Sequence, residues 1–394
     1  MAERSPLVVF SDDWGRHPSS CQHLIRHLLP QRPVVWVNTI GTRPPRFNWS
    51  TVVRGCGKLR SWLWPANGQH TSWNCLPPSA PELVPPPRVL NPKMWPSFRS
   101  RLGRSLNRHL LRRALGPVVD SFPVAPIIVT TIPVVADLVG EIRAARWVYY
   151  CVDDFSLWPG LDSRTLQQME AELVPKVNTV IAVSETLQAH IARLGQAAHL
   201  LTHGVDVAFW QTANSDTARS LAEIDALPRP LVVYWGVIDR RLDVRFVATL
   251  ADTMTAGTIL LVGPRDEPDP ALVRLPRVRL LPPRPLTDLP ALAQRAGALI
   301  APYADSPVTR ALQPLKLKEY LATGKPVIAR RLPATLTWAD AADIVDTATA
   351  FAQAVQQRLQ SGVPAPQQLA RHRLAAESWA AKAQQFQQWI DGDE

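Results

Sequence analysis

The segment Pro314-Leu-Lys-Leu-Lys-Glu319 combines groups that can bind a phosphate chain and a sugar. Proline suits the first position of a helix, so the sequence predicts a helix that begins near Pro314 and ends at Gly324. A helix N-terminus attracts phosphate, and Lys316 adds a cation there. Glu319 lies one turn further along and can accept two hydrogen bonds from a ribose diol. Together these groups predict a site for a nucleoside diphosphate. The alternative is a surface Lys–Glu pair on an ordinary helix.

Further polar groups follow predicted strands in the N-terminal half. Asp12, Asp13 and His17 come after the first apolar run of the chain, and Asp153 and Asp154 end a later one. At a sheet edge such carboxylates can contact a substrate or act as a general base. They can equally serve in strand-end capping and turns, and the paired aspartates could also bind a metal.

Short apolar runs alternate with amphipathic helical patterns along most of the chain. This rhythm is typical of repeated β-α-β units and predicts parallel sheets covered on both faces. A polar stretch at 211–230 interrupts the rhythm and predicts a linker. The predicted fold class is therefore α/β, with two Rossmann-like, doubly wound domains facing a central cleft, where ligands bind at the strand ends.

The predicted domains are residues 1–210, residues 211–375, and a C-terminal helix at 376–394 that crosses back to the first domain. The predicted strands are Leu7–Phe10, Val34–Asn38, Ile127–Thr131, Trp147–Val152, Thr179–Val183, His199–Leu201, Leu231–Trp235, Thr258–Val262, Val278–Leu281, Ala298–Ala301 and Pro326–Ala329. The predicted helices include Cys21–Leu29, Ser97–Leu115, Val244–Met254, Asp288–Ala296, Leu315–Ala322 and Ala365–Ile390.

The net charge of +10 is concentrated in one segment. Residues 41–116 contain thirteen lysines and arginines against a single acid, Glu82. A local basic excess predicts a local anionic partner. Tryptophans interleave with these cations, which suits an anionic membrane surface better than nucleic acid when a sugar site lies nearby. The alternative is a solvated basic loop. The interleaved tryptophans are Trp49, Trp62, Trp64, Trp73 and Trp95.

Composition excludes several other classes. A hydrophobic content of 46% supports full cores and argues against disorder. The four cysteines form no CxxC pair, which fits a reducing compartment better than a disulfide framework or a zinc site. The chain contains no apolar run of about 18 residues, and its start lacks a signal-peptide layout. The expected location is cytoplasmic, or peripheral on the inner membrane face.

Several motifs, taken in order, resemble those of GT-B glycosyltransferases, and are close to the retaining group with an E-x7-E motif. The resemblance is carried by Pro314–Val327, Leu231–Gly236, Asp239–Asp243, Leu260–Pro264, Arg284–Pro290, Val183-Ser184 and His203–Asp206. It covers most of the C-terminal half and, more loosely, the N-terminal half. Several ordered motifs together are specific, although each alone would be weak.

The resemblance implies a nucleotide-sugar donor held by the second domain and an acceptor held by the first. The donor-binding residues that it implies are Gly236, Arg240, Arg241, Gly263, Arg284, Pro285, Leu286, Thr309, Leu315, Lys316 and Glu319. The catalytic residues are Arg241, Lys316 and Asp153, and the acceptor-binding residues are Asp12, Asp13, His17 and Asp154. GT-B enzymes stabilise the departing diphosphate with cations and helix amides, so the resemblance implies no metal and no cofactor beyond the donor substrate.

Two positions depart from the family pattern. Ala311 stands where E-x7-E has its first glutamate, which puts the transferred sugar and the stereochemical outcome in doubt, and Pro314 stands where a glycine is common. The expected activity is hexosyl transfer from a UDP- or GDP-sugar to a glycan or lipid-linked acceptor in cell-surface polysaccharide or glycolipid synthesis. The alternatives are a GT-B sugar epimerase and a catalytically degenerate GT-B-like binding protein.

Overall fold

The structure is a computed structural model, and it describes residues 4–16, 19–39, 85–158, 160–212 and 221–392. His17 and the greater part of the basic segment, including four of its tryptophans, lie outside the described residues. The same is true of residues 213–220 of the predicted linker.

The first half of the chain forms a seven-stranded parallel sheet in the order β3-β2-β1-β4-β5-β6-β7. Its strands are β1 (Leu7–Ser11), β2 (Val34–Asn38), β3 (Arg88–Leu90), β4 (Ile127–Thr130), β5 (Arg146–Cys151), β6 (Thr179–Ala182) and β7 (His199–Leu200). Its helices are α1 (Ser20–Leu28), α2 (Arg101–Asp120), α3 (Ser163–Leu173), α4 (Glu185–Arg193) and α5 (Val207–Gln211). The central strands are buried on both faces, as continuous apolar runs require.

The second half forms a six-stranded parallel sheet in the order β12-β10-β8-β13-β14-β15. Its strands are β8 (Leu231–Trp235), β10 (Thr258–Val262), β12 (Val278–Leu281), β13 (Ala298–Ala301), β14 (Val327–Arg330) and β15 (Asp343–Val345), and a separate pair is formed by β9 (Ile238–Asp239) and β11 (Arg265–Asp266). Its helices are α6 (Ala222–Asp225), α7 (Val244–Thr253), α8 (Leu289–Arg295), α9 (Pro307–Ala311), α10 (Leu315–Ala322), α11 (Pro333–Leu336) and α12 (Ala348–Ser361). The two parallel sheets confirm the predicted α/β class.

The strand orders place two chain segments at topological switch points. In the first sheet β1 lies between β2 and β4, and in the second sheet β8 lies between β10 and β13. Connections leave such a strand in opposite directions, which opens a crevice beyond its carboxyl end. The segments that follow β1 and β8 begin with Asp12 and Gly236, so both sequence-predicted sites start at a crevice of this kind.

The C-terminal segment differs from the single predicted helix. The structure has α13 (Ala365–Ala370), a 3-10 helix at Arg371–Glu377, and α14 (Trp379–Asp391). The helical pattern breaks at Ser378, whose hydroxyl caps α14 by accepting from the Ala381 amide at 3.2 Å. A helix with its own N-cap starts afresh there, and this local signal lies inside an otherwise continuous amphipathic pattern.

Helix α14 packs on the core of the first sheet. Trp379 and Phe386 belong to that core, and Trp379 stacks on His23 of α1 with ring centroids 4.5 Å apart. Asp391 forms a bidentate ion pair with Arg32, whose side chain is fully buried. The chain therefore returns to its first half at the end. We propose the domain boundaries of the sequence prediction on this basis.

Candidate active site

Two glycines bring backbone segments together at the crevice beyond β8. Gly236 has φ +139° and Gly263 has φ +153°, both in the range that favours glycine. A Cβ atom on Gly236 would lie 2.0 Å from Lys316 Nζ, and one on Gly263 would lie 1.9 Å from the Gly236 carbonyl oxygen. A side chain at Gly263 would collide with backbone, and one at Gly236 would displace the Lys316 ammonium. The crevice floor is therefore bare backbone, which a ligand can approach closely.

Lys316 projects from the first turn of α10 over this floor. Its Nζ donates to the Tyr234 hydroxyl at 3.0 Å and lies 4.4 Å from the centre of the Tyr234 ring and 5.5 Å from that of Tyr303. The Tyr234 hydroxyl in turn donates to the Val237 carbonyl at 2.9 Å. A cation held by a hydroxyl and two aromatic faces is pre-positioned for an anion. The sequence motifs gave no reason to single out either tyrosine.

Helix α10 spans Leu315–Ala322, as predicted. Pro314 is its N-cap residue, not its first helical residue, and it forms no side-chain cap. The N-terminal amides of a helix that lacks a capping side chain are satisfied by water or a ligand. Lys316 and this helix end thus present hydrogen-bond donors with full or partial positive charge to the crevice, as the sequence predicted for a phosphate chain.

Arg241 is the second cation of the site, and its surroundings differ from those of the adjacent Arg240. Its guanidinium is paired with Asp239 at 2.7–3.0 Å. The central carbon of the guanidinium lies 4.8 Å from the ring centre of Trp158, in the first half of the chain. Burial alone would lower the pKa of Arg241, but the Asp239 carboxylate outweighs it and raises that pKa. Arg240 is exposed. Sequence reasoning missed both Asp239 and Trp158.

Asp153 faces Arg241 from the other sheet, just past the end of β5. Burial raises the pKa of Asp153 to about 7, with Arg241 lowering it and Asp154 raising it further. Asp154 instead caps a 3-10 helix, where it accepts from the Ser156 amide at 3.1 Å. The structure therefore brings Asp153 near Arg241 and gives Asp154 a local role.

The aspartates after β1 are tied down within their own loop. Asp12 accepts hydrogen bonds from Ser11, Ser19 and Gln22 at 2.9–3.1 Å. Burial raises the pKa of Asp12 although these bonds oppose it. Asp13 is half-exposed and pairs with Arg16 at 3.1 Å. These contacts correspond to the capping alternative, and an acceptor role for either residue stays a prediction.

Glu319 lies on the second turn of α10, partly buried. Burial raises the pKa of its carboxyl to about 7, while Trp235 and Lys316 lower it. Trp235 is the last residue of β8 and is 5% exposed. A carboxyl in this state gains most from a ligand that supplies hydroxyl donors in place of water.

Four of the other predicted donor residues have partners of their own or lie in a short local helix and its cap. Arg284 forms an ion pair with Glu223 of α6. Thr309 is 1% exposed, and its hydroxyl completes a capping box with Ser306 at the start of α9. Leu286 begins a 3-10 helix at Leu286–Asp288, with Pro285 preceding it. The Thr309 hydroxyl is therefore engaged within its own helix cap, and a contact of Arg284, Pro285 or Leu286 with a nucleotide base stays a prediction.

Ala311 lies where the two halves of the chain meet. It is 5% exposed and packs in the core of the first sheet, together with the partly buried Leu315. Its carbonyl accepts from the Ser184 hydroxyl at 3.2 Å. The departure from E-x7-E thus falls at a packed junction.

Lys318 makes a second junction between the halves. It is 3% exposed, and its Nζ binds the Thr202 hydroxyl at 3.1 Å and the Glu377 carboxylate at 2.5 Å. Burial lowers the pKa of Lys318 to about 8, while Glu377 raises it. Lys318 therefore anchors α10 to the segment that leads into α14, a role the sequence motif did not suggest.

The fold is that of the GT-B class, two Rossmann-like halves facing a cleft. Over nearly its whole length the chain resembles sucrose-phosphate synthase from Thermosynechococcus elongatus, with a TM-score of 0.68, 18% identity and 99% of both chains covered. It also resembles HepE of Anabaena in complex with UDP and glucose, with a TM-score of 0.69, 14% identity, and 98% and 99% of the two chains covered. At these identities the likeness establishes the fold.

Among curated proteins, the chain is similar to the putative teichuronic acid biosynthesis glycosyltransferase TuaH of Bacillus subtilis (strain 168), with 26% identity over 180 residues. The match covers 44% of the chain and 45% of TuaH, so it spans less than half of that protein's length. No family model matches the chain.

Proposed function

We propose that this protein is a glycosyltransferase that takes a hexosyl group from a nucleotide-diphosphate sugar, with UDP as the first choice of nucleotide. The observation that carries the proposal is the convergence of Lys316, Arg241 and the uncapped start of α10 on the bare backbone of Gly236 and Gly263. HepE, which shares the fold, is described in complex with UDP-glucose. TuaH is named as a glycosyltransferase.

In the proposed reaction the bond between the sugar and the diphosphate breaks, and negative charge develops on the departing phosphate. Lys316, Arg241 and the helix amides stabilise that charge, because they are held in place before it forms. This arrangement supports a metal-independent mechanism. Glu319 binds the ribose, and the backbone of Arg284–Leu286 contacts the base.

A shift in melting temperature tests the proposal. UDP at about 100 times its dissociation constant stabilises a protein that binds it by about 2.7 kcal/mol. We expect UDP or GDP to raise the melting temperature, and we expect slow hydrolysis of the matching nucleotide sugar without an acceptor. No shift with either nucleotide at millimolar concentration would contradict the proposal. Binding without any hydrolysis would favour a degenerate binding protein, the alternative that Ala311 supports.

Asp153 is proposed as the group that accepts a proton from the acceptor hydroxyl. Because burial raises its pKa to about 7, it is ionised above that pH and protonated below it. At saturating donor, kcat should therefore increase as the pH rises through about 7, and a pH profile of kcat is the measurement.

Asp153→Asn should lower the rate about 100-fold or more and remove that rise. Asp154→Asn, the matched control, should keep a rise near the same pH. An unaltered pH profile in Asp153→Asn would rule out the role of Asp153 as the base.

We propose an acceptor linked to lipid or glycan in cell-surface polysaccharide synthesis, and a peripheral position on an anionic membrane. Residues 85–119 contain eight lysines and arginines and no acid. Among the described residues, no helix is long and apolar enough to cross a bilayer.

The described part of this basic stretch also exposes large apolar side chains. Trp95 is 52% exposed, Leu102 is 85% exposed and Leu106, one turn further on α2, is 44% exposed. Arg101 and Arg113 of the same helix form no ion pair with any described acid. Apolar side chains beside unpaired cations complement an anionic bilayer, at about 1 kcal/mol per cation near the surface.

This surface lies close to the cleft. Arg99, just before α2, is paired with Asp162, and the nearby Trp158 lies against Arg241. A membrane bound at α2 would therefore bring lipid-linked acceptors near the donor cations.

Sedimentation with vesicles tests the membrane proposal. The chain should bind vesicles rich in phosphatidylglycerol and release them at high salt. A double variant, Leu102→Ser with Arg101→Glu, should bind roughly tenfold more weakly. Leu369→Ser is the matched control, since Leu369 is 69% exposed in the other half of the chain. Equal losses in both variants, or no binding by the wild type, would contradict the proposal.

A further inference from the structure

Trp235 occupies the boundary between the core and the proposed donor site. It ends β8 and precedes Gly236, which forms the crevice floor. One face of its indole stacks on Trp210, with centroids 5.4 Å apart and an interplanar angle of 9°. Its edge meets Tyr320 at 4.3 Å. The ring is therefore held on two sides and has little freedom to turn.

The backbone of Trp235 is tied to the donor helix as well. Its amide donates to the Tyr320 hydroxyl at 3.0 Å, and that hydroxyl donates to the Trp235 carbonyl at 3.2 Å. Tyr320 is the residue after Glu319 in α10. These two bonds fix the spacing between the end of β8 and the Glu319 side of the helix.

The indole N–H of Trp235 is the unusual feature of this arrangement. Its Nε1 is buried and makes no hydrogen bond of ordinary geometry with any described residue. Buried donors are almost always paired, so one that is not calls for an explanation. The acceptor that it faces is the carboxyl of Glu319.

We propose that Trp235 is a positioning residue of the donor site: its indole N–H binds the Glu319 carboxylate and orients it toward the ribose diol. The inference rests on the proposed function, because it gives Trp235 a role through the ribose-binding residue. One oxygen of the carboxylate would accept from the indole, which leaves the remaining lone pairs for the two ribose hydroxyls. A fixed carboxylate pays less entropy when the nucleotide binds.

Near neutral pH the neighbours of Glu319 keep their charge, and the Glu319 carboxyl changes its own. Lys316, on the same helix, is the cation that faces it. Tyr320 on its own helix and Tyr234 on β8 are buried, and burial raises the pKa of each well above its ordinary value. Tyr303, after β13, lies beside Tyr320. The pKa of Glu319 is about 7, because burial raises it more than Trp235 and Lys316 lower it.

The first experiment needs no ligand. The full chain is labelled at its tryptophan indole nitrogens, and the resonance missing from Trp235→Phe is assigned to Trp235. That resonance should move with a midpoint near pH 7 in the wild type and should stay constant in Glu319→Gln. A Trp235 resonance that does not respond to pH in the wild type would overturn the proposal.

The second experiment measures UDP binding between about pH 5 and about pH 9. Trp235→Phe keeps an aromatic ring in the stack and removes the N–H, so the pH midpoint of binding should rise by about half to one unit. UDP affinity at neutral pH should fall roughly three- to tenfold, and the deficit should narrow at higher pH. Trp210→Phe, which removes the other indole of the stack, should leave the midpoint unchanged.

The outcomes separate this proposal from the function on which it rests. If Trp235→Phe is less stable but binds UDP with the pH midpoint of the wild type, then Trp235 acts only in core packing and the proposal is overturned. A wild-type chain that binds neither UDP nor GDP overturns the donor site itself, and the positioning role with it.

Discussion

Replacing Arg241 by alanine is expected to lower kcat about 100- to 1,000-fold. Asp239 holds the guanidinium through two hydrogen bonds, and Trp158 covers it from the other half of the chain. A donor that is oriented before the reaction stabilises the departing diphosphate without further reorganisation. The measurement is steady-state release of UDP from a UDP-sugar, with kcat and KM determined separately.

Arg240→Ala is the matched control for this variant. Arg240 is the preceding residue, carries the same charge and is exposed, so its removal should change kcat by no more than about threefold. Asp239→Asn should fall between the two, because it keeps Arg241 and loosens its orientation. If Arg241→Ala retained most of the wild-type kcat while Arg240→Ala did not, the assignment would have to be reversed.

Replacing Glu319 should lower UDP affinity and, in the case of glutamine, raise stability. A hydrogen bond to a charged group contributes about 1.5–3 kcal/mol, so Glu319→Ala should weaken binding roughly 10- to 100-fold. Glu319→Gln should weaken binding similarly, because the amide is uncharged and has one acceptor oxygen where the carboxylate has two. Titration calorimetry with UDP measures both.

The stability gain follows from the raised pKa of Glu319. The folded chain has a pKa of about 7 at this carboxyl, against an ordinary value of 4.5. The proton is therefore bound more tightly in the folded state, and stability is lost as the pH rises from about 4.5 through about 7. Glutamine removes this penalty, which is on the order of 2–3 kcal/mol.

The melting temperature of the ligand-free chain checks this prediction. Glu319→Gln should melt higher than the wild type at about pH 8, and the gain should shrink toward about pH 5. Asp252→Asn is the control: Asp252 is an exposed acid on α7, and its replacement should alter neither melting nor UDP binding. A Glu319→Gln chain that melts lower at alkaline pH would contradict the idea that the carboxylate is kept for binding at a cost in stability.

The position of Ala311 bears on which half of the chain supplies the carboxylate of the proposed reaction. It is buried against the first core and bonded through its backbone to Ser184. The acid that the structure brings to Arg241 comes instead from Asp153, at the end of a strand in the other half. The carboxylate in the proposed reaction thus belongs to the half that is expected to hold the acceptor.

The sequence by itself determined the fold class, the position of most strands and the start of the donor site. Parallel strands buried on both faces appear as short apolar runs, and these runs fell within a residue or two of the observed strands. Lys316 and Glu319 were predicted because a helix start is a local feature, marked by the proline before it. Gly236 and Gly263 came from motif resemblance, and the structure gives the reason: both have a positive φ, a Cβ at Gly263 would meet backbone, and one at Gly236 would displace the Lys316 ammonium.

The tertiary structure alone decided which side chains meet. Nothing local distinguishes Arg241 from Arg240, Asp153 from Asp154, or Lys318 from Lys316. Arg241 differs because Trp158 covers it, and Lys318 differs because it pairs with Glu377; both partners are distant in sequence. Asp154 differs because it caps the local helix at Ser156. Burial and pairing depend on the packed fold, which joins residues far apart in the sequence, such as Trp158 with Arg241 and Lys318 with Glu377. The pKa values of Asp153 and Glu319 follow from the same arrangement, because their carboxyls are desolvated only in the folded chain.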